Sequence, residues 1–82
     1  TRLSKYLIIM KEYEIKAKKL IEEIKNRYPM NSTNITIRKK IYNDLEIELK
    51  ELSNKHLTEN PNIKSKDIQN INTRLINENI SI

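Results

Sequence analysis

Along residues 3–28 the apolar side chains return in steps of three and four. Leu3, Tyr6, Leu7, Met10, Tyr13, Ala17, Leu20, Ile21, Ile24 and Tyr28 fall on one broad side of a helix with about 3.6 residues per turn. Within that side runs a narrower line of Leu3, Tyr6, Met10, Tyr13, Ala17, Leu20 and Ile24. Its alternating steps suit packing against an antiparallel helix. Pro29 closes the run, because the residue before a proline is pushed out of the helical region. A helix over 3–28 is roughly 39 Å long.

The back of this helix is not uniformly polar. Ile8 and Ile15 stand almost opposite the apolar side, two turns apart. A solvated helix back has no need of them. Single exposed apolar residues are ordinary on a protein surface. Two in line, with Ile47 similarly outward on the next helix, read as a contact seam to another chain.

A polar stretch, Met30 to Asn34, comes next, in which Ser32, Thr33 and Asn34 are each competent helix caps. The second helix is predicted over 34–57. Its inward face is Ile41, Tyr42, Leu45, Leu49, Leu52 and His56, with charged residues of both signs outside. Ile35-Thr36-Ile37 has β propensity, but no second strand exists to pair with it, so it reads as the first turn. Thr58 to Asn62 breaks the pattern again, with Asn60 before Pro61 as the turn signal. Asn60 and Ser65 are both candidate caps for a third helix.

The third helix is predicted over 66–79, with Ile68, Ile71, Leu75 and Ile76 inward and Ile82 as a possible extension. Short connections make sequential helices antiparallel neighbours. The expected fold is therefore all-α: an up-down-up three-helix bundle, a long helical hairpin plus a shorter third helix. The 82 residues form one small helical domain, 1–82.

Composition narrows the function classes. A chain of this length buries only about 60% of its unfolded surface, and such a core seldom supplies more than about 3–5 kcal/mol. Contact with a partner or with copies of itself would supplement it. There is no cysteine and no glycine, which removes disulfides, thiol chemistry and glycine-rich phosphate loops. No apolar run is long enough for a membrane span or a secretory core; Leu7 to Met10 is the longest near the start. With cysteine absent, these features point to a cytoplasmic or otherwise intracellular setting. Ile, Lys and Asn dominate, the bias of an AT-rich genome, and isolated examples of each carry little signal.

The net charge of +5 is uneven, with eight basic and four acidic residues over 2–28 against five and four over 34–58 and three and three over 59–82. Lys11, Lys18 and Lys25 share one flank of the first helix, with Lys5 and Lys19 beside them. Such a stripe suits phosphate backbone or an acidic partner. It also serves simply as a solvated face, and lysine is a poorer bidentate reader than arginine.

No residue set carries catalysis. His56 is the lone histidine. It lacks co-ligands for a metal and a neighbouring nucleophile, and a partly protonated imidazole suits the end of the second helix. The carboxylates Glu12/Glu14, Glu22/Glu23 and Asp44/Glu46/Glu48, with Glu51, lie among lysines. Glu12 with Lys16 and Glu46 with Lys50 read as i,i+4 pairs. The four tyrosines fall on inward stripes, as core rather than as base-stacking surfaces. Asn31, Asn34 and Asn79 begin glycosylation-type triplets that an Asn-rich chain produces by chance.

The sequence thus predicts a non-enzymatic protein-interaction or assembly module with no cofactor and no metal. Ile8 and Ile15 are its interface, to another protein or to copies of itself. The alternative is a basic nucleic-acid-associated protein that contacts the phosphate backbone through Lys11, Lys18 and Lys25 without reading sequence.

Overall fold

A computed structural model describes the backbone over 2–28 and 35–79, and side chains from Ser4 onward within those spans. It contains three helices, α1 (Arg2–Lys25), α2 (Ile35–Glu59) and α3 (Ser65–Asn79). All three pairs of helices pack against one another, giving an all-α three-helix bundle of 47 × 18 × 18 Å.

The up-down-up order can be read from side-chain partners. Tyr6 bonds Asp67 and Tyr13 bonds Asn72, so α1 and α3 ascend together. Tyr28, just past the end of α1, bonds Asp44 early in α2, while Tyr13, in mid-α1, packs on His56 late in α2. Those two helices are therefore antiparallel.

The core is built from Tyr13, Ala17, Ile21 and Ile24 of α1, Leu45 and Leu49 of α2, Ile68 and Leu75 of α3, and Ile63 in the turn before α3. Ala17, fully buried, is the smallest side chain of this core. Tyr6, Ile9, Met10, Leu20, Ile41, Leu52, Leu57, Ile71 and Ile76 pack around this centre, half-buried.

Several sequence-derived boundaries and faces need correction. α1 ends at Lys25 rather than 28. The N–H groups of Arg27 and Tyr28 reach carbonyls only three residues back, Ile24 at 3.1 Å and Lys25 at 3.4 Å. This tightens the chain into a turn, which is then held to α2 by Arg27 with Glu48 and Tyr28 with Asp44. The expected stop at Pro29, the caps Ser32, Thr33 and Asn34, and the extension to Ile82 lie outside the described residues.

Leu7, assigned to the core side, is 59% exposed, whereas Ile9 is half-buried against the core. Ile9 packs on the core cluster that includes Ile63 of the α2–α3 turn, whereas Leu7 does not.

α2 begins at Ile35 and runs to Glu59, two residues further than expected. Ser53, absent from the expected inward face, is buried in it, its hydroxyl donating to the Lys50 carbonyl at 2.8 Å. Asn60 closes α2 rather than opening α3. Its backbone N–H and side-chain amide both donate to the His56 carbonyl, at 2.9 and 3.0 Å, and so satisfy an otherwise orphan end group.

Candidate interaction surface

Ile8 and Ile15 are 59% and 60% exposed, opposite the buried Tyr13, Ala17 and Ile24. With Leu7, Lys11 and Glu12 they line a shallow, open depression of about 280 Å³. The surface is thus three apolar side chains on one helix back, crossed by one cation and one anion. Leu7 is the member that sequence reasoning missed, because a stripe drawn as broad as that of α1 absorbs it into the core side. Ile47 is equally exposed on α2.

The basic flank is less uniform than its spacing suggests. Lys11 and Lys18 are exposed and form no ion pair among the described residues. Lys25 is half-buried and lies 3.9 Å from Glu22 one turn back. Lys18 itself shares a surface depression with Glu22 and Glu78, so anions interrupt the stripe towards its C-terminal end.

Among the described residues neither Glu12 with Lys16 nor Glu46 with Lys50 comes within ion-pair distance. The pairs that form instead tie helix to helix: Glu14 with Arg74, and Arg27 with Glu48 through two contacts of 2.5 and 3.1 Å. Arg74 also approaches Glu78 on its own helix, at 3.9 Å.

The tyrosines act as clasps. Tyr13 alone is fully buried, with its hydroxyl donating to Asn72 Oδ1 at 2.5 Å. Burial pushes this phenol up to about 12, against the opposing effect of hydrogen bonds to Asn72 and Ser53. Tyr6 donates to Asp67 and accepts from the Lys64 N–H at 3.5 Å. Tyr28 donates to Asp44 at 2.5 Å. Tyr42 donates to Glu46, one turn on in its own helix. In these last three the carboxylate partner raises the phenol. Tyr6, Tyr28 and Tyr42 are half-buried, and each hydroxyl is taken up by a carboxylate of the chain itself.

His56 differs from expectation. It lies in the last turn of α2, as expected, but as a core residue, 4% exposed, with its ring against Tyr13. Neither ring nitrogen has a hydrogen-bond partner. Burial first, and then Lys16, hold the imidazole below its ordinary value, with Glu59 and Glu12 opposing. It is therefore neutral at pH 7.

Among the described residues no three His, Asp or Glu side chains gather as a metal-holding group, and no helix is long and apolar enough to cross a membrane. Of the glycosylation-type triplets, Asn31 and Asn34 lie outside the described residues, and the Asn79 amide donates to the Leu75 carbonyl at 2.8 Å. No family model matches the chain, and neither a curated protein nor a solved structure matches it.

Proposed function

We propose that the chain is a non-enzymatic protein-interaction or assembly module whose contact face is the outer side of α1. One observation carries this reading: Leu7, Ile8 and Ile15 stand exposed on the side of α1 that the bundle core does not use. Two isoleucines, each about three-fifths exposed, contribute about 1–2 kcal/mol apiece when a partner buries them, a large share of the margin of a small core. The occupant is another protein or a second copy of the chain. Lys11 and Glu12, at the edge of the apolar surface, give it polar handles of both signs, which set orientation more than strength.

The second reading is phosphate-backbone contact through the basic flank. It is favoured by Lys11 and Lys18 being exposed and, among the described residues, without ion-pair partners. The two are separated by measuring molar mass in solution over a range of concentrations, with and without mixed DNA and RNA. Self-association, or a stable complex with a protein partner, that persists without nucleic acid supports the module. A monomer that gains mass only with nucleic acid supports the second reading.

A further inference from the structure

His56 occupies a place in the α1–α2 seam that suits only its neutral form. It is 4% exposed, and neither Nδ1 nor Nε2 has a hydrogen-bond partner. The Tyr13 ring lies over it at 5.1 Å between centroids, tilted by 50°. An imidazolium there would carry a charge removed from water, which is costly unless paired, and apart from Glu59 and Glu12 only the Ile9 backbone favours it. The face of Tyr13 offers a cation some attraction, but less than that cost.

The surroundings decide where a protonated ring would go. From α1, Tyr13, Lys16 and Glu12 face it; from α2, Glu59 does, with Lys55 beside it. No charged group of α3 acts on the ring; that helix contributes Asn72, bonded to the Tyr13 hydroxyl, and the apolar Ile68 and Leu75 to the shared core. Immediately outside the ring is a surface depression of about 180 Å³ lined by Lys16, Leu52, Lys55, His56 and Glu59. The ring nitrogens are sealed from it, so the route opens only if the ring itself moves. Once outside, the imidazolium meets water and the Glu59 carboxylate one turn along α2.

We infer that His56 is an acid-operated release for the α1–α2 seam: on taking a proton it leaves its place against Tyr13 for the depression beside Glu59, and the seam loosens. Above the ordinary histidine value of 6.5 the packed and released states are both neutral, and pH has no leverage. Below it the released state takes the proton first, because the packed ring is held lower. Packing therefore weakens as the solution is acidified through the range below 6.5, until the packed ring too is protonated. One proton moves the equilibrium by at most about tenfold per pH unit. The inference does not depend on what the outer face of α1 binds.

Three measurements on the full chain test it. The His56 ring proton shifts, followed by NMR between pH 8 and 4, should titrate below 6.5; a midpoint at or above 6.5 overturns the inference. Urea unfolding at pH 8.5, 7.5, 5.8 and 5.2 should show nearly constant stability at the first two and a fall over the last two. His56→Met, which keeps an apolar side chain of similar bulk, should flatten that fall, and an equal fall in the variant overturns the inference. If His56→Met does not fold, the NMR measurements decide alone. Nuclear Overhauser contacts between the His56 and Tyr13 rings should be present at pH 7.5 and lost once the imidazole is protonated; contacts that persist with the ring protonated overturn the inference.

Discussion

Tyr13 of α1 touches both other helices at once: its ring lies 5.1 Å from the imidazole of His56 in α2, and its hydroxyl donates to Asn72 of α3. A single side chain thus fixes the spacing of all three helices at the middle of the bundle. Its position makes the ionisation of one phenol a matter for the whole fold.

That relationship sets an alkaline limit. The Tyr13 phenol is raised from 10.0 to about 12 by burial. Below pH 10 the folded and unfolded chains both keep the proton. Between 10 and about 12 the unfolded chain loses it first, so stability falls as pH rises, by up to about tenfold in the folding constant per pH unit. Tyr13→Phe should be less stable by about 1 kcal/mol at pH 7, for the lost hydrogen bond to Asn72, yet lose less stability between pH 10 and 12. Tyr6, Tyr28 and Tyr42, also raised, leave a residual slope. Denaturant melts at pH 8, 10 and 11 in wild type and variant check this; parallel curves would contradict it.

Ile63 gives the largest expected cost outside the helices. It is buried in the turn between α2 and α3 and belongs to the core cluster on which Ile9 packs. Ile63→Ala should cost about 2–5 kcal/mol, the range for emptying a packed isoleucine site. Arg27→Ala removes the two-contact ion pair with Glu48, but that pair faces solvent, and its loss should cost under about 1 kcal/mol. Thermal unfolding of the two variants side by side tests the ranking, and a larger loss for Arg27→Ala would reverse it.

These residues show how far the fold was legible in the sequence. Period alone located three helices and most of the core, because Tyr13, Ala17, Ile24, Leu45, Leu49, Ile68 and Leu75 repeat at helical spacing with nothing to contradict them. It failed where a neighbour decides. Leu7 and Ile9 are both apolar and two residues apart, and only the core cluster on which Ile9 packs settles which is covered. Ile63 belonged to no helix, so no periodic pattern claimed it. Ser53 lies one turn past Leu49 on the same face, and that position was the available signal; its polarity masked it. His56 was placed on the correct stripe but given the wrong charge, because position on a face does not report depth. The outward side of Ile8 and Ile15 was legible as opposition to the core, whereas Leu7 joining them was not.

If the basic flank contacts nucleic acid, its residues should contribute unequally. Each phosphate neutralised steepens the fall of log K with log salt by roughly 0.7–0.9. Lys11 and Lys18 are exposed, whereas Lys25 is already near Glu22. Lys11→Gln with Lys18→Gln should therefore flatten the slope almost as much as the triple variant that adds Lys25→Gln. Glutamine keeps the helix, since its propensity is close to that of lysine. An unchanged slope in the double variant excludes this flank, and no binding at low salt excludes the reading.

The contact proposed for the back of α1 makes the sharpest demand. Ile8 and Ile15 are more than half exposed, with Leu7 beside them, and the bundle core closes without any of the three. Charge placed there leaves the core intact but must be dehydrated in any interface, and burying an unpaired charge is costly. Ile8→Lys with Ile15→Glu should therefore keep the helical circular dichroism and the melting temperature of the isolated chain nearly unchanged. The same pair should abolish self-association or co-purification with a protein partner, because losing about 2–4 kcal/mol of apolar burial weakens a complex by one to three orders of magnitude, at about 1.4 kcal/mol per tenfold. Leu7→Lys alone should weaken it less, because it removes one apolar group where the double variant removes two. Ile47→Lys, on a different helix, serves as the control for charge as such and should leave association intact. If the Ile8/Ile15 variant folds and every association persists, the contact lies elsewhere. If Ile47→Lys disrupts association as strongly, the loss reflects net charge and not this face.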